Sequence, residues 1–217
     1  MENNSLTTKK AKLFNPKKFF MDMARIVCSP LLLWFNLKRV FINTDAKKKL
    51  RGGAIIASNH LGFADPFVLG CTFWYRRMYF LAAEVVMKSK PIAFLLKGVG
   101  CIKIDRNICD MDAIRKSANV LKEGHLLTVF PQGGIDRDDD VTAIKSGIVL
   151  LAMQSKAPVV PVFIHRKTKF FDRNIVVIGE PIAPPAVPGI NAIQEYADNI
   201  LKKMTECKEH YAKMEEK

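Results

Sequence analysis

The chain has 217 residues, of which 49% are hydrophobic and 25% charged, the balance of one globular domain with a substantial core. That excludes a wholly disordered chain, a collagen-like repeat and a disulfide scaffold. The formal net charge is +13 and it is uneven: of 34 Lys/Arg and 21 acids, residues 1–51 hold 12 and 3, so 22 and 18 remain for residues 52–217. A basic arm of +9 joined to a nearly balanced body of +4 implies an anionic partner surface, a membrane leaflet or nucleic acid.

In chain order the arm comes first. Residues 19–42 read FFMDMARIVCSPLLLWFNLKRVFI, with an uncharged run of 12 residues between Arg25 and Lys38. As a helix this run spans roughly 18 Å, short of the ~30 Å hydrocarbon core. Pro30 also interrupts any helix there. The expectation is a helical arm over residues 1–51 that lies in the membrane interface, with Leu31 to Phe35 dipping in and the lysines facing anionic headgroups. The alternative is an amphipathic helix pair packed on the domain with an ordinary solvated basic face. No cleavable signal peptide is visible, and five cysteines without a CxxC pair read as reduced thiols in a cytoplasmic compartment.

Residues 52–217 form the second unit, an α/β domain. Short β-branched runs predict strands at 54–58, 78–82, 101–104, 126–130, 159–164 and 175–178. Helical patterns lie between them, near 66–74, 88–97, 112–123, 143–155 and 190–213. Asp112 and Gly124 punctuate the third helix. Ile193, Ala197, Ile200, Met204, Cys207 and Tyr211 make one face of the last. Such alternation predicts a largely parallel or mixed sheet flanked by helices.

The chain carries no GxSxG elbow, HExxH, Walker A or complete GxGxxG. Its chemistry-bearing residues cluster just after strands, where open α/β sheets place their sites. In SNHLGFADP (58–66), four residues separate His60 from Asp65, and Gly62 permits a tight turn between them. Asp65 can then accept from one imidazole nitrogen and leave the other to take a proton from a hydroxyl. The bland alternative is a structural loop histidine, with Asp65 capping the helix that begins at Pro66. GCIKIDR (100–106) offers Arg106 at a strand end, suited to a phosphate or to a surface ion pair. TVFPQGGIDRDDD (128–140) places Gln132, Gly133 and Gly134 where backbone N–H groups can approach a ligand, with Arg137 beyond. Lys145 stands near a helix start behind four acids, and Pro161 within VVPVFI suggests a bulge or an edge position.

Taken in order, these segments resemble the glycerolipid acyltransferases, the 1-acyl-glycerol-3-phosphate acyltransferases and their relatives. The NHxxxxD block stands at 59–65, the strand-end Asp-Arg block at 104–106, the FPEG block at 130–133 and the VPV block at 160–162. Lys145-Ser146-Gly147 and residues 178–182 (IGEPI) also look like landmarks of that family, and the resemblance covers about residues 50–185. It implies the fold of that family and an O-acyltransferase of phospholipid biosynthesis. A fatty acyl group would pass from acyl-CoA or acyl-carrier protein to the free hydroxyl of 1-acyl-glycerol-3-phosphate, giving phosphatidic acid. In that reading His60 is the general base and Asp65 its orienter, backbone N–H groups near Gly133 and Gly134 meet the oxyanion, and Arg106 grips the acceptor phosphate. It implies no metal, no cofactor beyond the acyl donor and no nucleic acid, and a peripheral or monotopic enzyme on the cytoplasmic face of the membrane. Two positions depart from the pattern: Gln132 replaces a carboxylate, and Ile135 replaces an arginine that helps to hold phosphate. Arg137 and Lys145 are the substitutes at hand. Other lyso-lipids or lipid alcohols, and a non-catalytic lipid-binding relative, are the alternatives this opens.

Overall fold

A computed structural model describes residues 22–23, 37–43, 51–62, 64–105, 110–131, 141, 143–165, 174–187 and 189–215. Its strands are β1 (Leu37–Phe41), β2 (Ala54–Ser58), β3 (Met78–Ala83), β4 (Cys101–Ile104), β5 (Leu126–Val129), β6 (Val159–His165) and β7 (Asn174–Ile178). They form one sheet in the order β1-β7-β6-β2-β5-β3-β4. The five from β6 to β4 run parallel, β7 is antiparallel to β6, and β1 is parallel to β7, so the sheet is mixed. Every side chain of β2 and β5 is buried, as expected of strands covered on both faces.

Between the strands lie helices α1 (Asp65–Thr72), α2 (Lys90–Gly98), α3 (Met111–Lys122) and α4 (Ser146–Ser155), and α5 (Ile190–Glu215) closes the described chain. A 3₁₀ turn at Glu84–Met87 follows β3. Strand periodicity divides the core in two. Ile56, Val162 and Ile164 pack with Val68, Leu69 and Phe73 of α1 and its end. Their neighbours Ile55, Leu127 and Val159 pack with α3, α4 and α5 on the opposite face. Right-handed crossovers place α2 on the side of α1, because both connections step the same way across the sheet. No helix among the described residues is long and apolar enough to cross a membrane.

Several local expectations are revised. Leu37–Phe41 was expected within the arm, yet it is a sheet strand: it pairs along the whole of β7, and Arg39 Nη1 donates to the carbonyl of Thr72 at 3.3 Å. The sheet therefore begins before residue 52. The cap of α3 is Asp110, not Asp112. Its Oδ1 accepts from the N–H of Ala113 at 2.9 Å, and that bond holds its carboxyl below the usual carboxylate range. Asp112 falls in the first turn because the helix starts one residue earlier than its apolar pattern indicates. Gly124 ends α3 as expected, at φ +81°. Helix α4 begins at Ser146 instead of residue 143, since Lys145 is extended at φ −64° and ψ 133°.

Pro161 does not mark an edge, but a one-residue offset stands beside it: it meets Gly179, while Val159 meets Ile182. The proline lies in an interior strand with β2 on one side and β7 on the other. Its carbonyl accepts from the N–H of Gly179 at 2.9 Å, one residue past the end of β7. The regular β6–β7 pairing stops there and resumes one residue out of step, where Val159 and Ile182 exchange N–H···O bonds at 2.9 and 2.8 Å, an irregularity that tolerates a residue without a donor.

Candidate active site

Strand β2 runs out at Ser58, and the side chain after it anchors the turn beyond. Asn59 is buried, its Nδ2 donates to the carbonyl of Ile164 at 3.0 Å, and its Oδ1 accepts from the N–H of Ile164 at 2.8 Å. This two-bond clasp ties the carboxyl end of β2 to that of β6. The chain then turns, with the N–H of Asp65 donating to the carbonyl of Gly62 at 3.1 Å, and enters α1 through Pro66.

The turn brings His60 and Asp65 together. Asp65 Oδ2 lies 2.9 Å from His60 Nδ1 and accepts from the N–H groups of Leu61 at 2.6 Å and Gly62 at 2.8 Å. A carboxylate only accepts, so Nδ1 carries the proton and Nε2 presents its lone pair. Asp65 is fully buried and His60 is 15% exposed, so the orienting carboxylate is shielded while the ring reaches the surface. Asp65 is not the helix cap of the bland alternative: the cap position of α1 is Ala64, with no side-chain bond to the helix. Asp65 instead turns its carboxylate back onto the loop.

Phe130, just after β5, stacks on the His60 ring with centroids 4.0 Å apart and planes at 17°. The same Phe130, with Pro131, forms one wall of a cavity of about 520 Å³. Leu81, Ile104, Ala113, Ile114, Val129 and Ile148 give it an apolar interior, and Asp105, Asp110 and Lys145 supply charge along its lining. Lys145 is exposed there, at the start of α4. Of the residues expected to meet substrate, Lys145 is the one described; Arg106, Gln132, Gly133, Gly134 and Arg137 lie outside the described residues.

Three contributions escape the sequence reading. The clasp of Asn59 had a signal, since a polar side chain that follows five strand residues is buried and must find partners. The stacking of Phe130 on His60 had none, because it joins residues 70 apart through strand order alone. The third is in the arm. Asp22 accepts from Arg77 Nε at 2.9 Å and Nη2 at 2.8 Å, with both side chains almost fully buried. A lone acid within an apolar stretch was the clue.

Residues 39–165, more than half of the chain, match the profile of the Acyltransferase family, from within β1 to the last residue of β6. The chain belongs to the Acyltransferase family. The match encloses the His60–Asp65 loop, the strand-end segment at 104–106 and the FPQG segment at 130–133. The chain is 30% identical over 109 residues to the 1-acyl-sn-glycerol-3-phosphate acyltransferase of Bacillus subtilis, covering 50% of this chain and 54% of that one. To the protein of the same name in Borreliella burgdorferi it is 24% identical over 151 residues, covering 69% and 60%. The chain thus spans about half the length of the curated relatives it matches. Among solved structures, the 1-acyl-sn-glycerophosphate acyltransferase of Thermotoga maritima superposes with a TM-score of 0.64 at 20% identity, over 90% of this chain and 81% of that one. That likeness carries the fold: a mixed α/β sheet flanked by helices.

Proposed function

We propose that the protein is an interfacial O-acyltransferase that moves a fatty acyl group from a thioester donor, acyl-CoA or acyl-carrier protein, to the free hydroxyl of 1-acyl-glycerol-3-phosphate, giving phosphatidic acid. The observation that carries this reading is the 2.9 Å contact of His60 Nδ1 with an Asp65 carboxylate held by two backbone N–H groups. Such an arrangement fixes one tautomer and turns the imidazole into a base. Nε2 takes the proton of the acceptor hydroxyl as its oxygen attacks the thioester carbonyl. The tetrahedral oxyanion collapses, the C–S bond breaks, and the departing thiolate recovers the proton from His60. No acyl-enzyme is needed, because the acceptor supplies the nucleophile. The cavity beyond Phe130 suits the acyl chain: its lining is largely apolar, and its volume falls in the usual range for ligand sites.

Arg106 is the proposed grip on the acceptor phosphate, and Lys145 and Arg137 are proposed to replace the arginine that Ile135 displaces. Backbone N–H groups at Gly133 and Gly134 are the proposed oxyanion donors, with Gln132 beside them. The basic arm would hold the protein peripherally on the cytoplasmic leaflet, where a lysolipid acceptor resides. Gln132 and Ile135 favour a second reading, in which the acceptor is a lyso-lipid or lipid alcohol without a phosphomonoester.

The test is acyl transfer by the full chain in mixed micelles, with palmitoyl and oleoyl thioesters and a panel of acceptors. His60→Ala should lower turnover about 10²–10⁴-fold with the fold intact. Near-parental turnover in that variant would remove the base from His60. Turnover restricted to acceptors lacking the phosphomonoester would keep the chemistry and move the protein to the second reading.

A further inference from the structure

The face of the sheet that carries α1 and α2 keeps large apolar side chains in solvent. On α1, Phe67 is 60% exposed, and Trp74, in the turn that follows the helix, is exposed as well. On α2, Phe94 is 79% exposed, and Val86 of the preceding 3₁₀ turn is also exposed. Lysines surround this apolar surface. Lys90, Phe94 and Lys97 follow i, i+4, i+7 spacing, one stripe of the helix, and Lys88 precedes them, all exposed. From residue 85 to residue 104 there are four lysines and no acid. One of them, Lys103, is occupied by Glu84 at 2.6 Å. Lys88, Lys90 and Lys97 therefore stand around Phe94 with no acid in their own segment.

We infer that α2 and its 3₁₀ turn, flanked by the outer side of α1, are a membrane contact of their own, separate from the N-terminal arm and specific for an anionic bilayer. Phe94 and Val86 would enter the interface, the lysines would meet headgroup phosphates, and Trp74 and Tyr75 would lie at headgroup level, as amphipathic aromatic rings do. Two observations favour a bilayer over an acidic protein. The exposed apolar residues lie on two helices spaced across one side of the sheet, so they do not line a single notch. The same side carries the His60–Asp65 loop, which opens α1 at the carboxyl ends of the strands. Docking this side would set Nε2 at the height where a lysolipid hydroxyl lies. The inference rests on the interfacial reading above for its purpose, but its test reads binding without turnover.

The full chain is incubated with phosphatidylglycerol–phosphatidylcholine vesicles, with pure phosphatidylcholine vesicles, or alone, and backbone hydrogen exchange is followed. Anionic vesicles should slow exchange across 86–98 and leave the outer faces of α3 and α5 unchanged. In flotation, the triple variant Lys88→Glu, Lys90→Glu, Lys97→Glu should lose about 100-fold in affinity for anionic vesicles. Phe94→Glu should lose about tenfold. Both should unfold at the parental denaturant midpoint, since these side chains are exposed. Unchanged exchange across 86–98 together with unchanged flotation would overturn the inference, whatever the turnover. So would intact vesicle binding alongside lost binding to purified acyl-carrier protein, which would assign the surface to an acidic protein.

Discussion

The two faces of the sheet are built to different rules. On one, α3, α4 and the 26-residue α5 cover the strands, and α5 does so with an apolar stripe from Tyr196 to Tyr211. The outward positions of α5 mix acids, lysines and neutral polar residues, and Tyr196 Oη donates to the carbonyl of Ile182 at 2.8 Å near the start of that helix. On the other face, α1 and α2 are 8 and 9 residues long, and their outward positions are apolar or lysine. The first face shows both signs of charge and exposes Met111 and Leu150 among its large apolar side chains, whereas the second exposes Phe67, Val86 and Phe94, with lysines alone in the segment that carries the last two. A face meant for another phase need not show both signs. The His60–Asp65 loop opens on the second face, and the cavity beyond Phe130 lies against α3 and α4 of the first. Phe130 touches both.

The contrast can be broken from either side. The largest effect is expected at the arm. Arg77→Ala strips buried Asp22 of its two guanidinium bonds, and removing one partner of a buried pair costs about 3–5 kcal/mol. Urea unfolding of the full chain should show that loss; a change below about 1 kcal/mol would mean that the arm is held by other contacts. Next comes the opposite face, where Ile200→Ala on α5 empties a fully buried site and should cost about 2–5 kcal/mol. Vesicle affinity of the folded protein should not move, and if it did, the separation of the faces would fail. The smallest is Asp110→Ala, about 1 kcal/mol at neutral pH from a lost helix cap. The Asp110 carboxyl is held low by the N–H of Ala113, so its contribution is present above the ordinary carboxylate pKa. It is lost as pH falls through the lower folded value. Thermal midpoints of parent and variant should therefore converge in acid.

Most of this architecture was legible in the residues. Strand positions follow from β-branched runs with flanking turns, and all six expected strands are present, because buried parallel strands need continuous apolar sequence. The seventh, Leu37–Phe41, was hidden by composition: Lys38 and Arg39 give it the look of the basic arm, yet an edge strand tolerates charge on its open side. The His60–Asp65 pair was legible because its geometry is local, five residues across one turn. Phe130 over His60 and Asp22 against Arg77 were not, since each depends on which strands become neighbours. Pro161 was half legible: the irregularity beside it is present, but β6 is not an edge, because the strand order that sets β7 outside it is not a local property.

The clasp of Asn59 on Ile164 has a consequence in time. It joins residues 105 apart, and both of its hydrogen bonds need β6 in place beside β2. The loop that aims His60 is therefore not fixed until Ile164 has left the ribosome and its strand has inserted, although His60 itself emerges well before that strand. A nascent or truncated chain holds every atom of the His60–Asp65 pair without a scaffold to aim it. The strand that completes the parallel run from β6 to β4 is thus also the one that sets the His60–Asp65 loop.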